Sequence, residues 1–138
     1  MSYKLILISI IHRKNKSEIL LVKRNREPGL GKWSLPGGTG ALRDEPNPEL
    51  AIGKEIFGDF DVKAIGPKLF RLKYTTESEP TLHLYFQTEL EEEPKIKSVK
   101  TIQELRWFPL EEVSRIDLAF KEIDTEIIEQ FRKEFSIA

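Results

Sequence analysis

A glycine pair followed by one helix constrains the fold of this 138-residue chain more than any other feature. The sequence WSLP predicts a short extended piece that ends at Gly37-Gly38. A loop follows, and Asn47 and Pro48 predict the N-cap and the first residue of a helix that runs to about Phe60. Because the flanking segments are rich in β-branched and apolar residues, this helix is predicted to lie between strands.

The rest of the chain is predicted to be mainly strands, closed by helices. Residues 5–11 and 19–24 are apolar runs around the polar turn RKNKSE and are predicted to form a hairpin. Residues 62–76 contain extended stretches broken at Gly66-Pro67, and residues 81–90 alternate. ELRWFPLEEV predicts a strand and then a short helix opened by Pro109. The C-terminal helix carries the apolar stripe Ile123, Ile127, Ile128, Phe131 and Phe135. This order predicts an α+β fold with a mixed sheet and helices on its faces.

Composition excludes several classes of protein. The length suits a single domain, residues 1–138, and the formal net charge of −1 supplies no overall field for nucleic acid or an anionic membrane. The chain has no cysteine, so disulfides and thiolate metal ligands are excluded. The apolar run near the start is too short to cross a bilayer and has no basic lead. We therefore expect a cytoplasmic protein without nucleic-acid or membrane partners.

Two acidic residues of the predicted helix are candidate metal ligands. Glu55 and Asp59 are four residues apart and share one helix face. Neighbouring carboxylates repel unless a cation lies between them, and ligands that are all oxygen suit Mg²⁺ or Mn²⁺. A backbone carbonyl of Gly37-Gly38 could add a further oxygen, since glycine lets the backbone approach a ligand closely. On spacing alone, two solvated surface acids remain the alternative.

The segments LLVKR, GKWSLPGG, PELAIGKEIFGDFDV and ELRWFPLEEV resemble the Nudix hydrolase family. The signature of that family is Gly, five residues, Glu, seven residues, then Arg-Glu-aliphatic-x-Glu-Glu-x-Gly-aliphatic, usually after Trp-x-x-Pro-Gly. Here Trp33 and Pro36 match the leading run, and Lys54-Glu55-Ile56 matches the Arg-Glu-aliphatic step. The resemblance implies a Nudix-like α/β/α sandwich with a mixed β-sheet flanked by helices.

The helix departs from the signature in three places. Gly58-Asp59 replaces the Glu-Glu pair, so one ligand is lost and the other is shortened by a methylene. Asp61 replaces the closing Gly, and Asp tolerates a left-handed conformation better than most residues. Lys54 keeps the positive charge of the Arg but lacks its planar fork. The signature therefore survives in a degenerate form.

Two further family acids have no clear counterpart. The first Glu of the signature is ambiguous between Asp44 and Glu45, because the interval before the helix is longer than in the family. Either acid could pair with Lys54 and hold the loop on the helix. Some members use another acid before the RWFPL region, where this chain has Thr101, with Glu104 nearby on a strand that would point it elsewhere.

The resemblance implies a site in which helix carboxylates hold divalent metals that neutralise a diphosphate and activate water. The candidate catalytic and metal-binding acids are Glu55 and Asp59, and Gly37 is the candidate carbonyl ligand of the metal. The candidate substrate-binding residues are Arg24, Arg26 and Lys54. Gly38 and Glu45 are candidate supporting residues of the site. Arg24 and Arg26 could equally be solvated charges. Trp33 could stack on a base or pack under the glycine turn, and His83 is expected at the surface or half-buried.

Two functions follow from the resemblance. The first is hydrolysis of a nucleoside diphosphate linked to a moiety X, dependent on Mg²⁺ or Mn²⁺ and weakened by the degenerate signature. The second is a catalytically inactive Nudix-like domain that binds a nucleotide ligand or a protein partner. The identity of X is not encoded in any motif, and a homodimer is left open.

Overall fold

The computed structural model describes residues 3–136, except the side chains of residues 40, 41, 135 and 136. The strands are β1 (Lys4–Ile11), β2 (Glu18–Arg24), β3 (Trp33–Ser34), β4 (Gly37–Gly38), β5 (Ala64–Thr75), β6 (Thr81–Leu90) and β7 (Ile102–Pro109). The α-helices are α1 (Pro48–Phe60) and α2 (Lys121–Ser136), and short 3-10 helices span Gly40–Arg43 and Leu110–Arg115.

The strands form two sheets. A mixed sheet has the order β4-β1-β6-β5, in which β1 and β6 are parallel and the other pairs are antiparallel. An antiparallel sheet has the order β3-β2-β7. The predicted β1–β2 hairpin is wrong, because β4 and β6 occupy the two edges of β1. Among the described residues, β1 and β2 are joined by one isolated bridge at the turn, between His12 and Ile19.

The core has two parts, one on each face of the mixed sheet. Alternate residues of β1 enter different parts: Ile8 and Ile10 pack with α2, whereas Leu7 and Ile11 pack with α1. β2 alternates in the same way, so both sheets contribute to both parts. This arrangement confirms the predicted α+β sandwich with helices on both faces, and it explains why β1 is apolar on both sides.

The helix α1 has the predicted boundaries. The Asn47 side chain accepts hydrogen bonds from the backbone N–H groups of Glu49 and Leu50, at 3.0 and 3.4 Å, and Pro48 occupies the first turn. At the other end, Asp61 adopts a left-handed conformation with φ 54° and ψ 40°, and its N–H donates to the Phe57 carbonyl. Asp61 thus adopts the left-handed conformation, which Asp tolerates better than most residues.

Other expectations differ in detail. The predicted loop before α1 contains the 3-10 helix Gly40–Arg43. The break at Gly66-Pro67 lies inside the continuous strand β5, where the register with β6 shifts and Gly66 has φ 48°. The apolar stripe of α2 is confirmed by burial of Ile127 and Phe131, while the Phe135 side chain lies outside the described residues. In the described part of the chain, no helix has both the length and the apolar character needed to span a membrane.

Candidate active site

The two helix carboxylates and the glycine pair line one cavity, called here the carboxylate cavity. Its volume is about 370 Å³, and its walls include Arg24, Arg26, Gly37, Gly38, Glu55 and Asp59. The structure thus brings together six of the eight candidate residues from three separate parts of the sequence. Lys54 and Glu45 are not part of its lining.

Close packing leaves no room for a side chain at Gly37 and little room at Gly38. A Cβ atom added to Gly37 would lie 2.5 Å from the backbone oxygen of Leu7 in β1, which is closer than atoms can approach. A Cβ atom on Gly38 would lie 2.9 Å from a carboxylate oxygen of Glu55. The missing side chains therefore let β4 pair with β1 and let the Glu55 carboxylate approach the β4 backbone.

Asp59 is in an unfavourable environment for an anion. Burial and the nearby Glu55 carboxylate raise its pKa to about 6, and Arg26 opposes this shift only in part. Two carboxylates held together in a partly buried cavity favour a bound cation, as the spacing on the helix indicated. All the ligands this pair offers are oxygens, which suits Mg²⁺ or Mn²⁺.

The helix acids of the cavity are two, Glu55 and Asp59. Within residues 3–136, no group of three or more His, Asp or Glu side chains is placed to hold a metal ion. Mg²⁺ in proteins commonly uses one or two carboxylates, keeps several waters and takes further oxygens from substrate phosphates. Glu55 and Asp59 supply two carboxylates, and Gly58 supplies none.

Two arginines give the cavity a positive side. Arg24 donates a hydrogen bond from Nε to the Pro28 carbonyl at 2.6 Å, and its guanidinium lies 5.0 Å from the ring centroid of Phe120. Burial and the neighbouring Arg26 lower the pKa of Arg24. Arg26 is exposed. Two guanidinium groups facing one cavity favour an anionic ligand such as a phosphate.

Lys54 supports the loop before α1 and does not line the carboxylate cavity. Its Nζ lies 3.2 Å from Oε1 of Glu45, and Glu45 also accepts a hydrogen bond from the Asn47 N–H at 3.2 Å. These contacts hold the pKa of Glu45 below its usual value, with the Asn47 bond the larger cause. Of the two acids that could pair with Lys54, Glu45 is therefore the one that does. The substrate-contacting role expected of Lys54 has no support in this geometry.

Three hydroxyl residues, Ser34, Ser98 and Thr101, line the cavity although the sequence does not predict them as site residues. Ser98 and Thr101 line it and share a hydrogen bond of 2.7 Å between their side-chain oxygens. Ser34 also lines it, and its Oγ is buried without a hydrogen bond to any described residue. In the sequence, Thr101 stands where some members of the family have an acid. Nothing in the sequence marks Ser34 as a site residue beyond its place in WSLP.

Glu104 does not replace the missing acid. It lies opposite Lys23 in the β2–β7 ladder, and its carboxylate contacts Arg106 at 2.5 Å. The expectation that the strand would point Glu104 away from the site agrees with this pairing, since Glu104 is not part of the cavity lining.

The side chains of Trp33 and His83 both pack inside the protein. The Trp33 ring packs edge-to-face on Phe108 at 5.0 Å between centroids, and Trp33 lines neither this cavity nor the next. His83 was expected at the surface or half-buried, and this expectation is wrong: it is 7% exposed because β6 lies between β1 and β5. Its Nε2 lies 3.1 Å from Thr75 Oγ1, and burial lowers its pKa.

A second cavity of about 430 Å³ adjoins the first. The two share Arg24, Arg26, Gly37 and Gly38, and the second cavity extends over β1 to His83 and the start of α2. Because α1 and α2 cover opposite faces of the mixed sheet, the cavities lie on either side of the edge strand β4. A ligand that passes β4 could occupy both.

The fold agrees with that of a known family. The family model described as NUDIX domain matches residues 5–131, and the chain therefore belongs to the Nudix family. A MutT Nudix hydrolase from Burkholderia pseudomallei is 25% identical, with a TM-score of 0.68 over 80% of this chain and 86% of that one. The comparison with curated proteins finds no match.

More distant structures share the fold. The Nudix domain of NrtR from Shewanella oneidensis, solved with ADP ribose, is 19% identical, with a TM-score of 0.80 over 97% of this chain and 89% of that one. A bifunctional NMN adenylyltransferase/ADP ribose pyrophosphatase from Francisella tularensis is 19% identical, with a TM-score of 0.76 over 97% of this chain and 42% of that one.

Proposed function

We propose that the protein hydrolyses a phosphoanhydride bond in a nucleoside diphosphate linked to another moiety, with Mg²⁺ or Mn²⁺ as cofactor. The observation that carries this proposal is the shared cavity of Glu55, Asp59 and the glycine pair, with Arg24 and Arg26 on its wall. Membership of the Nudix family supports the reaction class, and the similar pyrophosphatase from Francisella tularensis acts on such a bond.

Each group of residues has a separate task in this proposal. A bound divalent cation supplies charge neutralisation of the diphosphate and lowers the pKa of a bound water. Glu55 and Asp59 hold that cation with carboxylate oxygens, and the backbone at Gly37 offers a carbonyl oxygen nearby. Arg24 and Arg26 bind phosphate oxygens by charge-assisted hydrogen bonds. The Lys54–Glu45 pair keeps the preceding loop on α1.

The activity is expected to be weaker than with a complete signature. Gly58 provides no carboxylate, and Asp59 is one methylene shorter than Glu. Fewer anionic ligands lower the affinity for the cation and leave more substrate charge to be neutralised by Arg24 and Arg26. More metal should therefore be needed for half-maximal activity than in an enzyme with three helix acids.

The alternative is a Nudix domain that binds a nucleotide derivative without cleaving it. The loss of the Gly58 carboxylate favours this reading, and the NrtR Nudix domain was solved with ADP ribose bound. In this case the carboxylate cavity would hold a diphosphate and a cation without turnover.

The deciding experiment is hydrolysis of a panel of nucleoside diphosphate derivatives by the purified protein with Mg²⁺ or Mn²⁺. The products are separated by chromatography, and Glu55→Gln is the matched control because it keeps the side-chain size and removes the charge. Turnover that is lost in Glu55→Gln supports the enzyme. A folded protein that binds members of the panel but cleaves none with either metal would instead establish the binding domain.

A further inference from the structure

Residues 98–101, called here the hydroxyl turn, form a tight turn at the wall of the carboxylate cavity. The backbone N–H groups of Thr101 and Ile102 donate to the Ser98 carbonyl at 3.1 and 3.0 Å, which closes the turn. The side-chain oxygens of Ser98 and Thr101 lie 2.7 Å apart, and both residues line the cavity. Val99 is 66% exposed, so hydrogen bonds rather than an apolar anchor hold this turn in place.

The hydroxyl turn is fixed on one side to the end of the acidic helix. The Lys97 N–H donates to the Asp59 carbonyl at 2.9 Å, and the Lys95 N–H donates to the Phe60 carbonyl at 3.0 Å. The last carbonyls of a helix have no partner within the helix, so these bonds satisfy the end of α1. Because Ser98 directly follows Lys97, the hydroxyl turn begins beside the part of α1 that carries the Asp59 carboxylate.

Asn25 fixes the hydroxyl turn on its other side. The backbone N–H of Asn25 donates to the Thr101 carbonyl at 2.9 Å, and its side-chain Nδ2 donates to the Val99 carbonyl at 3.0 Å. Asn25 stands between Arg24 and Arg26, which both line the carboxylate cavity. The hydroxyl turn therefore connects the arginine side of the cavity with its carboxylate side.

A buried hydroxyl reaches the same cavity from β3. Ser34 lies opposite Val22 in the β2–β3 ladder, and residues directly opposite each other project to the same face of a sheet. Val22 packs in the part of the core that α1 covers, so the Ser34 side chain lies on the α1 side. Ser34 is 1% exposed, and its Oγ has no hydrogen bond to a described residue. Such a hydroxyl is satisfied only by a ligand or a water in the cavity.

Neutral hydroxyl oxygens suit the waters around a cation. Mg²⁺ dehydrates reluctantly and keeps several waters when only one or two carboxylates bind it, as Glu55 and Asp59 would. Those waters need acceptors, and a hydrogen bond through a water is nearly as favourable as a direct one. A Ser or Thr oxygen accepts through two lone pairs. Donors for phosphate oxygens, in contrast, are already supplied by Arg24 and Arg26.

We propose that Ser34, Ser98 and Thr101 hold the cation through its bound waters, whose hydrogen bonds they accept, and that Asn25 is the positioning residue of the hydroxyl turn. The inference rests on the proposed function for the presence of the cation. It deepens that function by naming the uncharged groups that bind a hydrated Mg²⁺ beside the two carboxylates. Since these contacts need no substrate, they can be tested without turnover.

The first test is calorimetric binding of Mg²⁺ to the full chain without nucleotide. Thr101→Val removes the hydroxyl and keeps the side-chain shape, and it is expected to lower the Mg²⁺ affinity about tenfold. Thr101→Ser is the matched control, because it keeps the hydroxyl and should keep most of the affinity. Equal affinities of the native protein and both variants, or no Mg²⁺ binding by the native protein, overturn the proposal.

Ser34→Ala distinguishes this role from a structural one. The variant is expected to unfold less easily, because it removes a buried hydroxyl without a partner, and yet to bind Mg²⁺ about tenfold more weakly. A stability and a metal affinity that change in opposite directions exclude damage to the fold as the cause. Should Thr101→Val fail to fold by circular dichroism, Ser34→Ala decides, and its native Mg²⁺ affinity would overturn the proposal.

Hexaamminecobalt(III) separates contacts through bound ligands from direct contacts with the metal. Its ammine groups do not exchange, so the complex binds only through hydrogen bonds and charge. The native protein is expected to bind it in competition with Mg²⁺, and Ser98→Ala should weaken this binding about tenfold. Lack of binding by the native protein, or native binding by a folded Ser98→Ala, would count against the assignment.

A double-mutant cycle tests Asn25. Asn25→Ala is expected to lower the Mg²⁺ affinity about threefold, the effect of one exposed hydrogen bond, and to cause no further loss in Thr101→Val. Additive losses would mean that Asn25 does not act through the hydroxyl turn. Pyrophosphate binding without metal should be unchanged in Thr101→Val. A loss of pyrophosphate affinity with native Mg²⁺ affinity would make the hydroxyls phosphate ligands and overturn the proposal.

Failure of this proposal differs from failure of the proposed function. Hydrolysis by the native protein, with native Mg²⁺ affinity in the hydroxyl variants, would overturn the role of the hydroxyls and leave the reaction standing. Weaker Mg²⁺ binding in those variants, with no hydrolysis of any nucleoside diphosphate derivative by the native protein, would do the reverse.

Discussion

The absence of a side chain at position 58 is the residue-scale feature that most limits the proposed chemistry. A Cβ atom added there would meet no atom within 4 Å, so a longer side chain is accommodated. Position 58 lies three residues after Glu55, on the same side of α1. A glutamate would therefore place a third carboxylate beside the pair.

We predict that Gly58→Glu raises kcat at subsaturating Mg²⁺ by about tenfold or more, through tighter metal binding. The measurement is initial rate against Mg²⁺ concentration. Gly53→Glu is the matched control, since Gly53 is also a helix glycine in open space and does not line the carboxylate cavity. An equal gain in both variants would attribute the effect to helix stabilisation, and tighter Mg²⁺ binding without turnover would favour the binding domain.

A second residue-scale prediction concerns Ser34. Its Oγ is buried without a hydrogen bond in the described structure, so Ser34→Ala is expected to raise the free energy of unfolding by about 1 kcal/mol. Ser9 is the matched comparison, because its buried hydroxyl donates to the Pro36 carbonyl at 3.2 Å. Ser9→Ala should lower the free energy of unfolding by a similar amount. Urea denaturation measures both, and a decrease for Ser34→Ala would contradict the expectation.

At the scale of elements, the end of α1 is held in a left-handed turn by Asp61. Asp61→Gly should stabilise the protein relative to Asp61→Ala by about 1 kcal/mol, because Ala pays the steric cost of positive φ and Gly does not. Thermal unfolding of the two variants side by side gives the difference. Equal stability of the two would mean that this turn relaxes to a right-handed conformation when Asp61 is replaced.

Elements with local signals were predictable from the sequence, and those that depend on distant pairing were not. The boundaries of α1 follow from Asn47 and Pro48, whose effects act within one turn. The prediction of a β1–β2 hairpin was wrong because it used only the local turn sequence between the two strands. The pairing of β1 with β4 and β6 depends instead on packing across the whole chain. Sequence patterns cannot rank such distant partners.

The same distinction applies to the site. Glu55 and Asp59 were found because helix spacing alone places them together, and the glycine pair because it stands next to them in the family signature. Tyr85, His83 and Asp124 come from β6 and α2 and meet only after folding. No short-range pattern connects them, so the second cavity had no signal in the sequence.

At the scale of the whole molecule, the buried Asp124 makes stability depend on pH. Burial raises its pKa from 3.8 to about 6 in the folded protein, so the folded state binds this proton more tightly than the unfolded state. Stability from this group is present below pH 4 and is lost as pH rises from about 4 to 6, by about 2–3 kcal/mol. The loss occurs because the buried carboxyl must then ionise.

The corresponding measurement is the difference in free energy of unfolding between the native protein and Asp124→Asn across this range of pH. The difference should change by about 2–3 kcal/mol between pH 4 and 6, in the direction that favours the variant at the higher pH. A constant difference over that range would show that Asp124 ionises as easily in the folded protein as in the unfolded chain.

Metal binding supplies a second whole-molecule prediction. A cation that binds only the folded state raises the free energy of unfolding by about 2.7 kcal/mol at a concentration one hundred times its Kd. Mg²⁺ or Mn²⁺ should therefore raise the Tm of the native protein and have much less effect on Glu55→Gln. An equal rise in both would indicate binding elsewhere on the surface.

The edge strand β4 consists of two glycines, and it is flanked by a cavity that α1 helps to build and another that α2 helps to build. The strand β4 thus stands between a cavity lined by acids of α1 and a cavity lined by residues of α2, and at Gly37 it leaves no room for a side chain. A substitution in either helix therefore changes the lining of one cavity and leaves the lining of the other as it is.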